Sequence, residues 1–288
     1  MHTFAYLRPD TVAEAVAILE AHGPDARILA GGTDLVIRLR DGSATPAVVV
    51  DLKRIAALAP GIREEAGRLA ISATTVMTDI SADPLVRRHF GALADAASVV
   101  GSVQIRNRAT LAGNICNASP AADTAPALLV YDATVVAEGP VGSLRITIDA
   151  FFVRSGVTTL ARGELVTAIE LPIPAARRGA VHERRTRRRG HDLASVTVCC
   201  CVDQTRVTRL AYGSVGPRPV LFTDLTGILA NPSADPAERT AILERMFAGA
   251  SPSARSMRAS PEYRLAMLRV LGARALAGAI ERLAAGSD

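Results

Sequence analysis

Leu171-Pro172-Ile173-Pro174-Ala175-Ala176 is the segment that most restricts how this chain can fold. Each proline fixes its own φ, removes an amide donor and pushes the residue before it out of the helical region. A strand that reaches Leu171 therefore ends there, and no helix or interior strand crosses the segment. The 288 residues divide near 176 into two parts, each long enough for a core of its own.

Elements are readable on both sides of that break. Thr11-Val12-Ala13-Glu14 has the form of a capping box, Val12, Val16 and Leu19 follow at helical spacing, and Gly23-Pro24 ends the helix. Arg27 to Ala30 reads as a short strand stopped by Gly31-Gly32, and residues 47–52 as a buried strand. Leu69, Ile71 and Ala73 alternate as in a strand. Asp83-Pro84 opens a helix whose inward stripe is Val86, Phe90, Leu93, Ala97 and Val100. Strands recur near 134–138, 143–148 and 165–171. Past the break, strands at 195–202 and 206–214 are joined by Asp203-Gln204-Thr205, and two helices close the chain. The last, from Pro261 to Ala285, turns Leu265, Leu268, Leu271, Leu276, Ile280 and Leu283 inward. The fold class is α+β.

Composition and spacing exclude several functions. Seven Arg against one Glu lie between Arg177 and Arg189, a surplus that exceeds the whole chain's net charge of +5. A single basic segment with 3% aromatics and no Trp is not the spread surface of a nucleic-acid binder. No run of 18 apolar residues suggests membrane insertion, and Met1-His2-Thr3-Phe4 does not open a signal peptide. A soluble, cytoplasmic protein is the default expectation. Cys199, Cys200 and Cys201 are consecutive, and neighbours in a strand face opposite ways, so they are expected as buried apolar filler. Cys116 stands apart, no cysteine spacing suits an iron–sulfur cluster, and the five His lack zinc spacing. There is no Walker A, no G-x-G-x-x-G and no nucleophile elbow.

Three segments have the chemistry of a site. In Ala30-Gly31-Gly32-Thr33-Asp34-Leu35, paired glycines leave successive amides uncovered, a nest suited to a diphosphate, and Thr33 adds a hydroxyl. The plain alternative is an ordinary strand-to-helix turn. Small and polar residues also fill 110–123, where Thr110 and Asn114 are donors and Asp123 is an acceptor for sugar hydroxyls. Asp123 equally suits a helix cap. Arg106 and Arg108, just before it, are expected to be solvated or paired. The third segment, His182 to Ala194, has five Arg within 184–189, which need acidic partners, ligand phosphates or solvent. Asp192 is placed to orient one of them.

Together these segments resemble the FAD-binding subunits of the xanthine dehydrogenase and carbon monoxide dehydrogenase group. The resemblance rests on residues 30–35, Gln104 to Asn114, Ala118 to Asp123, Glu164 to Pro172, the Arg-rich run through Ala194, and Ala211-Tyr212-Gly213-Ser214-Val215-Gly216-Pro217. It implies a two-lobed FAD-binding domain of the vanillyl-alcohol-oxidase type at 1–176, with lobes of about 1–55 and 56–176, and a small α+β C-terminal domain at 177–288. By the same resemblance, Arg27, Ile28, Leu29, Ala30, Gly31, Gly32, Thr33 and Asp34 line the diphosphate. Thr110, Ala112, Gly113 and Asn114 lie opposite, and Asp123 contacts the ribityl or adenosine part. Val100 and Leu193 lie by the isoalloxazine, Leu165 and Val166 by the adenine, and Asp192 is a further cofactor-binding residue. Arg184 or Arg185 takes the place of a cation, usually Lys, near the flavin pyrimidine. Ala112 stands where relatives have Gly, which crowds a phosphate if that position needs positive φ. Leu193 stands where an aromatic is frequent, so π-stacking is absent.

The implied function is electron relay. FAD takes electrons from a small iron–sulfur subunit and passes them to NAD+ or another acceptor, while the molybdenum cofactor and the substrate belong to a large subunit. Two alternatives remain at this stage. A self-sufficient flavin oxidoreductase needs an acid–base group, for which His191 is the one histidine near the proposed flavin end. A binding module without FAD is the other.

Overall fold

The computed structural model describes residues 2–188 and 190–286. Arg189, one of the five arginines of the basic run, lies outside the described residues. The first lobe is a parallel sheet made by β1 (Ala5–Leu7), β2 (Ala26–Leu29) and β3 (Val48–Asp51), in the order β1-β3-β2. Being central, β3 buries Val48, Val49 and Val50. Helix α1 (Val12–His22) covers the sheet with Ala15, Val16 and Leu19. Thr11 accepts from the Glu14 amide at 3.1 Å, but the Glu14 carboxylate reaches back to the amide of Asp10 rather than to that of Thr11. Helix α2 (Leu35–Asp41) starts directly after the glycine turn.

The second lobe is an antiparallel sheet with helices on one side. Strands β4 (Ile62–Glu65) and β5 (Arg68–Ser72) lead into α3 (Met77–Ala82), α4 (Pro84–His89), α5 (Gly91–Ser98), α6 (Val103–Arg106), α7 (Leu111–Cys116) and α8 (Thr124–Val130). The chain returns through β6 (Thr134–Gly139), β7 (Gly142–Thr147), α9 (Ile148–Phe151), the hairpin of β8 (Phe152–Arg154) and β9 (Val157–Thr158), and β10 (Leu165–Pro172). The order β4-β5-β10-β6-β7 makes β10 the central strand. It ends at Pro172, as the proline segment requires.

The expected helix from Asp83 to Val100 is two helices. Asp83 does cap α4, accepting from the amides of Leu85 and Val86, but Phe90 (φ −144°, ψ 47°) breaks the run and α5 starts at Gly91. The Tyr131 hydroxyl accepts from the Ala92 amide at 3.2 Å, satisfying a donor in the new first turn. Val86, Phe90, Leu93 and Ala97 remain buried in the same core.

The C-terminal part is a sheet of β11 (Arg178–Arg185), β12 (Val196–Asp203), β13 (Thr208–Gly213) and β14 (Val220–Asp224), with α10 (Pro236–Phe247) and α11 (Pro261–Ala285) packed on it. Two of these strands, β11 and β14, were not expected. The basic run is therefore a strand as far as Arg185, not a loop throughout. The cysteine triplet sits in β12, with Cys200 facing the helices and Cys199 and Cys201 facing the second lobe, all three buried. Because that second face joins the core of the helical lobe, the C-terminal sheet is fixed beneath α8. Among the described residues, no helix is long and apolar enough to cross a membrane.

Candidate functional site: a cleft between the lobes

A cavity of about 560 Å³ lies where the first lobe, the second lobe and the start of β12 converge. Strand β2 delivers one wall. Gly32 has φ +79°, where a side chain is strained. A Cβ on Gly31 would overlap the carbonyl oxygen of Arg108, so the two lobes touch there backbone to backbone. Ile28, Ala30, Gly31, Gly32, Thr33 and Asp34 all border the cavity. Arg27 borders it too, with its guanidinium held by the carbonyls of Pro24 and Ala26 at 2.6 and 2.8 Å. Leu29 is turned away, as strand alternation demands, and packs beside Gly32.

Helix α7 forms the opposite wall. Thr110 caps it, accepting from the Gly113 amide at 3.0 Å. Thr110, Ala112, Gly113 and Asn114 border the cavity. Ala112 lies inside the helix and is not among the residues of positive φ, so its methyl imposes no backbone strain. The Asn114 side-chain oxygen accepts from the buried Thr124 hydroxyl at 2.7 Å, which leaves its amide to donate elsewhere.

Asp123 lies deepest. It precedes α8, yet its side chain does not cap that helix. The residue is 6% exposed and lines the cavity, and its Oδ1 accepts no hydrogen bond. Burial pushes the carboxyl up to about 7, opposed by the Arg184 guanidinium, whose Nε is 3.3 Å away. Buried carboxylates are normally hydrogen-bonded; here Oδ1 faces Arg184 and His182 behind the wall, while Asp123 as a residue borders the cavity, where a carboxylate suits a hydroxyl-bearing ligand. His182, also buried, lies 3.9 Å from the same oxygen and 3.0 Å from the Thr197 hydroxyl. Burial and the Arg184 charge lower it to about 3, so it is neutral.

Alternation along β11 decides between the two candidate cations. Arg184 faces Asp123 and donates to the carbonyls of Val99 (2.6 Å) and Asp192 (2.7 Å), behind the cavity wall. Arg185 points the other way and donates to the Tyr263 hydroxyl at 2.9 Å. Neither lines the cavity, where Arg184 or Arg185 was expected beside the flavin: Arg184 stands behind the wall and Arg185 on the other face of the strand. Val100, Leu165, Val166, His191, Asp192 and Leu193 also border the cavity. A bulge after Val166 bends β10 beside the cavity. Asp192 accepts from the Arg187 amide and guanidinium, which hold its carboxyl at about 2. Arg106 donates to the Val100 carbonyl, a partner inside the protein rather than a phosphate.

One feature of the rim was not read from the sequence. Arg38 donates to the Asn117 side-chain oxygen at 2.6 Å, and Asn117 donates to Asp34 at 3.4 Å, a clasp from lobe to lobe. Its signal was present in the spacing. Arg38 follows Asp34 by four residues across the start of α2, and Asn117 follows Asn114 by three at the end of α7.

A two-lobed α+β chain with glycine-rich walls and an acceptor at the bottom of its cleft belongs to the dinucleotide-binding flavoproteins in architecture. Comparison with known proteins gives the family. Residues 2–174 match the family described as FAD binding domain in molybdopterin dehydrogenase, and 183–279 match the CO dehydrogenase flavoprotein C-terminal domain. The xanthine dehydrogenase FAD-binding subunit of Escherichia coli O157:H7 is 32% identical over 286 residues, covering 97% of both chains. A chain of the carbon monoxide dehydrogenase of Hydrogenophaga pseudoflava superposes with TM-score 0.88 at 31% identity, over 97% of this chain and 98% of that one. A chain of quinoline 2-oxidoreductase from Pseudomonas putida 86 gives TM-score 0.85 at 26% identity, with 98% of each covered. The chain belongs to this family: it is an FAD-binding subunit of the molybdenum hydroxylase type and an oxidoreductase component.

Proposed function

We propose that the cleft holds FAD and that the chain relays electrons from a partner iron–sulfur subunit to NAD+ or another acceptor, while substrate is oxidised at a molybdenum cofactor on a large subunit. In this reading residues 1–176 are the FAD-binding domain and 177–288 the domain that completes its flavin end. The observation that carries it is the pairing of the Gly31–Asp34 turn with the Thr110–Asn114 helix start across one cavity, with the buried Asp123 beneath. The amides and the Thr33 hydroxyl suit a diphosphate, and Asp123 suits the ribityl hydroxyls. Val100 and Leu193 offer apolar faces to the isoalloxazine, and Leu165 and Val166 to the adenine.

When bound, FAD supplies a carrier able to exchange one or two electrons. The residues of the chain bind it, exclude water from one face and leave a rim at 191–193 for an acceptor. An absorption spectrum of the purified chain, with identification of flavin released on denaturation, tests the reading. FAD in near-equal molar amount is expected, and a colourless chain that takes up no added FAD overturns it. Reoxidation of the chemically reduced flavin by NAD+, compared with a quinone, identifies the acceptor class.

A further inference from the structure

Arg184 stands in the sequence where a cation by the flavin is expected, yet its guanidinium is turned inside the protein, with both terminal nitrogens hydrogen-bonded and Nε in ion-pair contact only. One terminal nitrogen donates to the Val99 carbonyl, the other to the Asp192 carbonyl, and Nε faces Asp123 at 3.3 Å. Those partners come from the end of α5, the segment leading into β12, and the turn before α8. All three places border the cavity, through Val100, Asp192 and Asp123 respectively. Arg184 itself does not.

We propose that Arg184 is a positioning residue of the cofactor site: its guanidinium fixes these three walls relative to one another and presents Asp123 as a carboxylate to the hydroxyls of FAD. The inference rests on the reading that FAD occupies the cleft. A planar fork is needed for it. Two carbonyls and a carboxylate lie in divergent directions around one group, and an ammonium on a flexible stem cannot reach all three.

The surroundings of Asp123 leave Arg184 as the charged group that meets it. From β11 come Arg184 and His182, and His182 is neutral and held by Thr197 of β12. From α7 comes Asn114, which takes the Thr124 hydroxyl. Without the guanidinium, a buried carboxyl with no hydrogen bond of its own is protonated more readily. A protonated carboxyl has lost one of its acceptor sites for sugar hydroxyls, so FAD affinity falls on acidification, and falls at higher pH once Arg184 is changed.

The experiment is an FAD titration of the flavin-depleted full chain from pH 5.5 to 8.5, for the unaltered protein, Arg184→Lys, Arg184→Met and Asp123→Asn. Folding is checked by circular dichroism and the segment between β11 and β12 by limited proteolysis. The expected results are weaker binding by Arg184→Lys, roughly tenfold for the lost charge-assisted bonds. Its affinity midpoint moves to higher pH, the segment between β11 and β12 is cut faster, and the pH dependence is flat in Asp123→Asn. The proposal is overturned if Arg184→Lys matches the unaltered chain in affinity and midpoint, since a point charge then suffices. Weaker binding without a moved midpoint also overturns it, because Arg184 is then scaffold only. A pH dependence surviving in Asp123→Asn removes Asp123 from the argument. If Arg184→Met does not fold, the Lys and Asn variants carry the test. Failure of the unaltered chain to bind FAD at any pH would instead sink the reading of the cleft itself.

Discussion

Gly31 of the first lobe rests on the carbonyl of Arg108 in the second, with no room between them for a methyl group. This contact sets the spacing of the two glycine-rich walls across the cleft. Gly31→Ala therefore has to push the lobes apart or distort the turn. Overpacking of this kind costs about 1–3 kcal/mol, and the diphosphate nest widens with it. The expected outcome is a lower melting temperature together with loss of most bound flavin, read by calorimetry and by the flavin-to-protein absorbance ratio. A variant that melts and binds like the unaltered chain would show that the lobes have slack the geometry does not suggest.

The two buried titrating groups beside the cleft act on stability in opposite directions. Asp123 is raised to about 7 in the folded chain, so folding is penalised as pH rises from the ordinary carboxyl range toward 7, and the penalty stays in force above that. His182 is lowered to about 3, so its contribution is present above its ordinary value near 6.5 and is lost as pH falls toward 3. Between about pH 4 and 6.5 the two effects offset each other. His182→Gln removes one of them. Its melting temperature, measured without flavin, is expected to rise on acidification from pH 7 to 5, while that of the unaltered chain stays nearly level. A parallel pair of profiles would show that His182 is not held neutral by burial.

Where the sequence was legible, periodicity and breakers coincided. The last helix carries Ser260 as its cap, Pro261 at its first position and an inward stripe, and it runs from Pro261 to Ala285 as read. The end of β10 was set by Pro172, and the glycine turn and helix α7 supplied most of the cleft wall. Strand β11 was not legible. Its residues are Arg, His and Glu in place of alternating apolar side chains, and the pairing partners that make it a strand lie in β12. Arg184 and His182 are tolerated there because Asp123, a residue of the second lobe, meets them. The break at Phe90 was hidden for a similar reason. The stripe keeps helical spacing across it, and the side chain that meets the interrupted turn, the Tyr131 hydroxyl on the Ala92 amide, comes from 39 positions beyond Ala92. Arg184 and Arg185 are adjacent in sequence and opposite in role, a distinction that needed the phase of the strand.

Cys116 borders the cleft, while Cys199, Cys200 and Cys201 are buried in β12. Alkylation of the native chain should label Cys116 alone, and slowly, because burial pushes its thiol up to about 12, and bound FAD should protect it. The triplet is expected to react only after unfolding, when all four sites appear together by mass spectrometry. Native labelling within the triplet would mean that the C-terminal sheet separates from the second lobe in solution. Equal labelling of Cys116 with and without FAD would place the cofactor elsewhere.

Gly213 offers a test of the C-terminal sheet that does not touch the cavity. It pairs with Thr197 on β12, and the Pro120 carbonyl lies directly over it, accepting from the Ser214 amide at 2.6 Å. A Cβ at 213 would stand 2.7 Å from that carbonyl oxygen and 3.0 Å from the Thr197 methyl. The turn from Ser119 to Asp123 can lie flat on the sheet only because this residue is glycine. Gly213→Ala lifts the turn and carries Asp123 away from Arg184, while the glycine-rich walls stay in place. The expected signature is therefore selective: FAD binding weakens, whereas melting of the flavin-free chain changes less than in Gly31→Ala. Loss of both in equal measure would mean that the sheet supports the whole fold rather than the floor of the site. Unchanged FAD affinity would mean that Asp123 need not lie where the sheet puts it.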